Sequence, residues 1–195
     1  MPDPTSIKIT KPIFLVISGP SGSGKTTIRN EILENIAGAE FSISMTTRKR
    51  RQGEKDGFDY LFAEEDEFKK LQENDFFLEW EVIHGDYYGT PMTKINEAKE
   101  KNNLLIFDVD VKGGLNIKKK FDNVILIYLK VQSIDTLRKR LKKRDTDSKL
   151  RIEKRLKRME VEDELSKDYD HVIVNKDKNE TLENIYGIIS DLAAG

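Results

Sequence analysis

The sequence predicts an α/β fold: a parallel phosphate-loop sheet covered by helices, with a small mixed or antiparallel insertion and a helical lid. Three observations predict it. Continuous apolar runs alternate with stretches of helical spacing. A glycine-rich loop separates the first run from the first stretch. A central segment, 41–91, breaks that alternation with short strands and turn residues.

Ile13 to Ile17 is an unbroken apolar run, as expected of a strand buried on both faces of a parallel sheet. After the break at Gly19 to Gly24, Thr27 to Ile36 sets Ile28, Ile32 and Ile36 on one helical face. Leu104 to Val109 reads as the next buried strand, followed by a short helix near Leu115 to Phe121. Val124 to Leu129 is another, followed by a helix carrying Leu137 and Leu141. His171 to Val174 is the last, and Leu182, Ile185, Ile189 and Leu192 stripe a closing helix. Within 41–91, strands are expected at Phe41 to Met45, Tyr60 to Phe62 and Leu78 to Ile83, with a turn at Gly85-Asp86 and a helix around Glu65 to Leu71. Trp80 reads as core. Arg144 to Glu164 is almost wholly charged, with only Ile152, Leu156 and Met159 for an apolar face, and reads as a mobile helical flap. The expected divisions are a loose extension at 1–12, a core at 13–40, 92–143 and 167–195, an inserted lobe at 41–91 and a lid at 144–166.

The 195 residues suit one compact domain with small inserted lobes. Lys and Arg number 34 against 35 Asp and Glu, so no general field favours nucleic acid or an anionic membrane. With no cysteine there is no disulfide framework, thiolate metal site or cysteine nucleophile. The first twelve residues lack a signal-peptide core, and no apolar stretch approaches the roughly 20 residues of a membrane span. A cytoplasmic protein is expected. The sequence carries no marker of oligomeric state.

Gly19-Pro20-Ser21-Gly22-Ser23-Gly24-Lys25-Thr26, followed by Thr27, fits G-x-x-x-x-G-K-[ST] between a strand and a helix. Glycines let backbone N–H groups face a phosphate, and the helix N-terminus adds its positive end. Lys25 is placed to reach the outer phosphates of ATP and the Thr26 hydroxyl to sit on Mg²⁺. Asp108, closing a strand, is placed to hold that ion directly or through water.

Arg48, Arg51, Glu54, Gly57 and Tyr60 fall at every third position of a glycine-interrupted segment, so a loop leading into a strand carries them. Two arginines and a phenol can hold a second phosphate. Taken alone, Arg48 to Arg51 also reads as a solvated basic patch or nucleic-acid tract; the balanced charge and the first phosphate loop favour the phosphate site.

Residues 46–62 closely resemble the guanylate kinase signature. The order of phosphate loop, signature, Glu79, Tyr88-Gly-Thr90, Asp108-x-Asp110, arginine-rich lid and Val172-Ile-Val-Asn175 is also similar to that family, over roughly residues 12 to 193. The resemblance implies an ATP:GMP phosphotransferase using Mg²⁺, with GMP and ATP as its partners and neither nucleic acid nor membrane. It implies that Arg48, Arg51 and Tyr60 grip the GMP phosphate and that Glu54 supports them. Ser44, Glu79 and Thr90 would read guanine, with Tyr88, Asp108 and Asp110 completing the acceptor site. Asn175 would touch the adenine of ATP, and Arg140, Arg144 and Arg155 would close on the transferring group beside Lys25 and Arg48. Without the resemblance, Glu79 beside Trp80 in an alternating strand reads as a solvent-facing residue, and Asn175 as an ordinary turn residue.

The chain departs from the family pattern at Lys112, at Ala63, at Asp145 and across Lys149-Leu150-Arg151; none of these removes a phosphate-gripping residue. Two other readings are another nucleoside monophosphate kinase and a non-catalytic phosphopeptide-binding relative. The intact loop and lid arginines argue against the second. A P-loop GTPase is disfavoured because Asn175-Lys-Asp177 lacks the spacing of a guanine-reading tetrapeptide.

Overall fold

The computed structural model describes residues 3–83, 85–121, 123–133 and 159–195. Five parallel strands form the main sheet: β1 (Ile13–Ser18), β2 (Ala39–Ser42), β7 (Leu104–Phe107), β8 (Val124–Lys130) and β9 (His171–Val174), in the order β2-β7-β1-β8-β9. The helices on this sheet are α1 (Lys25–Asn35), α3 (Thr93–Lys101), α4 (Val111–Lys120) and α5 (Lys178–Ala194). Between them lie β3 (Met45–Thr46), β4 (Leu61–Phe62), α2 (Glu65–Glu73), β5 (Phe77–Ile83) and β6 (Asp86–Pro91).

Every residue of β1 is buried, because helices cover both sides of the sheet. Its side chains alternate between two cores. Ile13, Leu15 and Ile17 pack with Ile28 and Ile32 of α1 and Ile185 and Ile189 of α5. Phe14 and Val16 pack on the other face with Ile95 and Ala98 of α3, Val111 and Ile117 of α4, and Tyr128. The apolar runs of the sequence are thus the sheet interior.

The smaller sheet runs β4-β3-β6-β5 and is mixed: β3 pairs parallel with β4, while β6 lies antiparallel to both β3 and β5. Helix α2 closes it through Phe68, whose ring stacks on Phe77 at 4.3 Å beside Met45. Gly89 of β6 lies under these rings; a Cβ there would sit 2.7 Å from Phe77.

Four expectations need correction. The run Phe41 to Met45 is two strands: β2 pairs with β7 in the main sheet, and only Met45 and Thr46 enter the small one. The N-terminal extension is held down by Ile7, which is buried, and by Ile9, both against the α1 and α5 face. Helix α3 has no counterpart in the sequence reading because only Ile95 and Ala98 are buried on it. Helix α4 begins at Val111, well before Leu115, because the Asp110 carboxylate caps it by accepting from Gly113 N at 2.8 Å. Two glycines in its first turn conceal that start.

The helix expected around Leu137 and Leu141 and the flap up to residue 158 lie outside the described residues. Residues 159–165 are helical and are tied to β8: Tyr128 Oη donates to Asp163 at 2.7 Å, and Lys130 Nζ lies 2.9 Å from the same carboxylate.

Candidate active site

The carboxyl ends of β1 and β7 are adjacent, so the glycine loop after β1 and Asp108 after β7 open into one cleft, the usual ligand position in a parallel α/β sheet. The small sheet forms the opposite wall.

On the sheet side, Gly19, Gly22 and Gly24 have φ of +148°, +95° and +99°, conformations open chiefly to glycine. At Gly19 a side chain would also strike the Leu129 carbonyl oxygen, at 2.5 Å. Lys25 is the first residue of α1 and folds back to donate from Nζ to the Gly19 carbonyl at 2.7 Å. Its ammonium is therefore held over the loop, beside the N–H groups of the helix terminus. Gly19, Pro20, Ser21, Gly22, Gly24, Lys25, Thr26 and Thr27 all line the cleft. Ser23 is buried beneath it.

The base of the loop is braced. Ser18 Oγ donates to Val109 O at 2.8 Å, and Tyr169 Oη donates to Ser18 Oγ at 2.8 Å. Burial pushes the Tyr169 hydroxyl well above its usual range, which keeps it a neutral donor.

On the opposite wall, Glu54 joins the two arginines. Its Oε1 accepts from Arg48 Nη2 at 2.8 Å and its Oε2 from the Arg51 backbone N–H at 2.8 Å. Burial opposes both charges. The mutual bond outweighs it, lowering the Glu54 carboxyl and raising the Arg48 guanidinium. Arg48 also lies 5.3 Å over the Tyr60 ring. Burial, reinforced by Asp108, pushes the Tyr60 hydroxyl up to about 12, so it stays protonated as a donor. Tyr88 meets Tyr60 edge-on at 6.0 Å.

Glu79, 9% exposed, lines the same cleft. Thr90, fully buried behind it, donates from Oγ1 to Glu79 Oε1 at 2.6 Å. Burial raises the Glu79 carboxyl above its usual range and the nearby Asp110 adds to this, against the Thr90 bond and Lys120. On α4, Gly113 makes room: a Cβ there would stand 3.3 Å from Glu79 Oε2. Lys120, from the end of that helix, donates to the Leu78 carbonyl and so fixes β5 next to Glu79.

Trp80 is a correction. It is 43% exposed, and Glu79 faces inward. An irregularity in the β5–β6 pairing between Phe77 and Glu79 suspends simple alternation, so Phe77, Leu78 and Glu79 are all buried. Phe77 enters the small core, Leu78 the main core and Glu79 the cleft.

Ser44, Arg48, Arg51, Glu54, Tyr60, Glu79, Tyr88, Asp108 and Asp110 all line this one cleft. Thr90 stands behind it. Asn175 does not line it: its side chain is buried against the loop, donating from Nδ2 to Ser23 O at 2.6 Å. Arg140, Arg144 and Arg155, with Asp145 and 149–151, lie outside the described residues. Lys112 faces solvent on α4, and Ala63 packs beside the small core. Sequence reasoning missed Arg29, which lines the cleft, lies 3.9 Å from Asp108 Oδ2 and stacks at 4.0 Å on Phe41. Its position four residues after Lys25, on the same helix face, was the available signal.

A sequence profile described as "Guanylate kinase" matches residues 11–192. The chain belongs to the guanylate kinase family. Guanylate kinases of Helicobacter pylori are 40% identical to it over 179 residues, covering 92% of this chain and 87% of theirs. That of Caldanaerobacter subterraneus subsp. tengcongensis is 40% identical over 177 residues, covering 91% and 86%. The crystal structure of guanylate kinase from Anaplasma phagocytophilum superposes with a TM-score of 0.78 at 30% identity, covering 94% of this chain and 87% of that one. The fold is thus that of a guanylate kinase: a parallel core with a second, mixed sheet.

Proposed function

We propose that the chain transfers the γ-phosphoryl group of ATP directly to GMP, giving ADP and GDP. The observation that carries this reading is the meeting, in one cleft, of a glycine phosphate loop, a second, Glu54-organised arginine grip and a buried carboxylate.

The glycine loop and the α1 N-terminus bind the donor phosphates, and Lys25 turns from the Gly19 carbonyl to the β- and γ-oxygens. Arg48, Arg51 and Tyr60 bind the acceptor phosphate, with Glu54 fixing the arginine geometry before the substrate arrives. Glu79 accepts from guanine N1–H and N2–H while Thr90 donates to its Oε1, and Ser44 and Tyr88 complete the pocket. Adenine offers no such donor pair, so it would leave a buried carboxylate unsatisfied, at a cost of about 1–3 kcal/mol.

Among the described residues no cluster of three or more acidic or histidine ligands exists. Mg²⁺ is held by few carboxylates and mostly by substrate phosphates. The oxygen donors Thr26 and Asp108 at the cleft fit that role. Bound there, the ion neutralises charge on the transferring group. Arg140, Arg144 and Arg155 are assigned to the same task from the lid side, where a single arginine contributes on the order of 10³-fold in rate. By closing, the lid also keeps water from the γ-phosphoryl group. No side-chain nucleophile takes part. On this reading the enzyme works on free nucleotides in the cytoplasm, with no role for nucleic acid. No helix among the described residues is long and apolar enough to cross a membrane.

The test is ADP release with ATP and Mg²⁺ against GMP, AMP, UMP and dTMP in turn. Turnover with GMP roughly tenfold or more above the rest in kcat/KM is expected, as the cost of the unsatisfied carboxylate implies. Absence of GMP-dependent turnover would refute the reading, and a preference for AMP would refute the role of Glu79.

A further inference from the structure

The bonding of Asn175 assigns it a task other than base contact. The residue follows β9, and its backbone N–H continues the ladder by donating to Lys130 O at 2.9 Å. Its side chain is committed at both ends. Nδ2 donates to Ser23 O at 2.6 Å, and Oδ1 accepts from Thr181 Oγ1 at 3.1 Å. The amide orientation is fixed by chemistry, since the Ser23 carbonyl can only accept. Asn175 is 8% exposed and Thr181 1%, so neither bond competes with bulk water.

The Ser23–Gly24 bond is a trans peptide, like every other described peptide bond, so its C=O and N–H point in opposite directions. By holding the Ser23 carbonyl, Asn175 leaves the Gly24 N–H pointing away from its own amide, and Gly24 lines the cleft. The same contact explains the glycine: with φ of +99°, a Cβ on Gly24 would lie 2.6 Å from Asn175 Nδ2.

We infer that Asn175, oriented by Thr181, is a positioning residue that holds the Ser23–Gly24 peptide of the phosphate loop in its anion-binding orientation. The inference rests on the loop being the donor-phosphate site. It predicts that Asn175 governs affinity for phosphate irrespective of the base.

Calorimetric titration of Mg·ATP and of Mg·tripolyphosphate, which has no base, separates the possibilities. In Asn175→Ala both ligands should weaken by a similar factor, roughly tenfold for loss of a buried bond, with the KM for GMP within about twofold of the parent. Thr181→Val should weaken both by roughly threefold, through loss of the orienting hydroxyl alone. Weaker ATP with unchanged tripolyphosphate would make Asn175 a base contact and overturn the inference. A lower Tm with both affinities unchanged, or a KM for GMP rising in step, would reduce it to ordinary packing and overturn it equally. Should Asn175→Ala fail to melt cooperatively, Thr181→Val decides by the same comparison. Failure of the parent protein to bind tripolyphosphate would overturn the donor-site reading itself, and this inference with it.

Discussion

Glu79 concentrates the physical argument at the scale of a single residue. A carboxylate at 9% exposure costs stability, and the Thr90 hydrogen bond offsets part of that burial. The raised pKa makes the cost visible in pH. Between the ordinary glutamate value and the raised one, the folded protein binds more protons than the unfolded chain, so stability falls as pH rises through that window. Glu79→Gln should therefore raise the Tm of the nucleotide-free protein near neutral pH, while raising the KM for GMP by roughly tenfold or more. The parent KM for GMP should climb on acidification as the carboxylate is lost. In Glu79→Gln that limb should vanish, leaving only the titration of the substrate phosphate, which both proteins share. A lower Tm in the variant would show that the carboxylate is not an unfavourable buried charge. The orientation of this residue was beyond local pattern. Alternation with Trp80 suggested the reverse, and only the pairing irregularity in β5, a tertiary feature, turns Glu79 inward.

At the scale of elements, the loop works because the pieces under it are tightly fitted. Tyr169 Oη, buried and bonded to Ser18 Oγ and Val111 O, approaches α4 so closely that a Cβ at Gly114 would lie 2.2 Å from it. Gly114→Ala should thus destabilise by about 1–3 kcal/mol in chemical unfolding, as overpacking does in a rigid interior. In a Tyr169→Phe background part of that loss should be recovered, because the displaced oxygen is gone. Full additivity of the two changes would disprove the contact. Elements were legible in the sequence wherever burial is two-sided or the stripe is wide, as in β1, β7, β8 and α5. They were obscured where a cap and glycines start a helix, as in α4, or where few side chains are buried, as in α3.

For the whole molecule, the two sheets meet around the cleft through few links. Leu78 reaches from β5 into the main core, and Lys120 holds its carbonyl, so the base of β5 is anchored while Glu81 and Ile83 farther along it face the cleft. Closure of the small sheet about that anchor on ligand binding is predicted. GMP and a non-hydrolysable ATP analogue together should give a smaller scattering radius than either ligand alone. An unchanged radius at saturation would contradict closure. The phosphate loop, the parallel strands around it and the gathering of Arg48, Arg51 and Tyr60 at the cleft could be read from the chain because they are written in local motifs. For Arg29 the chain offered only its spacing from Lys25, because its contacts with Asp108 and Phe41 exist only in the folded sheet.

Direct transfer within this one cleft is the central claim, and rapid-quench analysis with ATP labelled at the γ-phosphoryl group tests it most directly. With Mg²⁺ and GMP present, the label should pass to GDP in amounts equal to the ADP formed, with none on the protein and little as inorganic phosphate. Label retained on the protein, or released as inorganic phosphate at the same rate whether or not GMP is present, would contradict it.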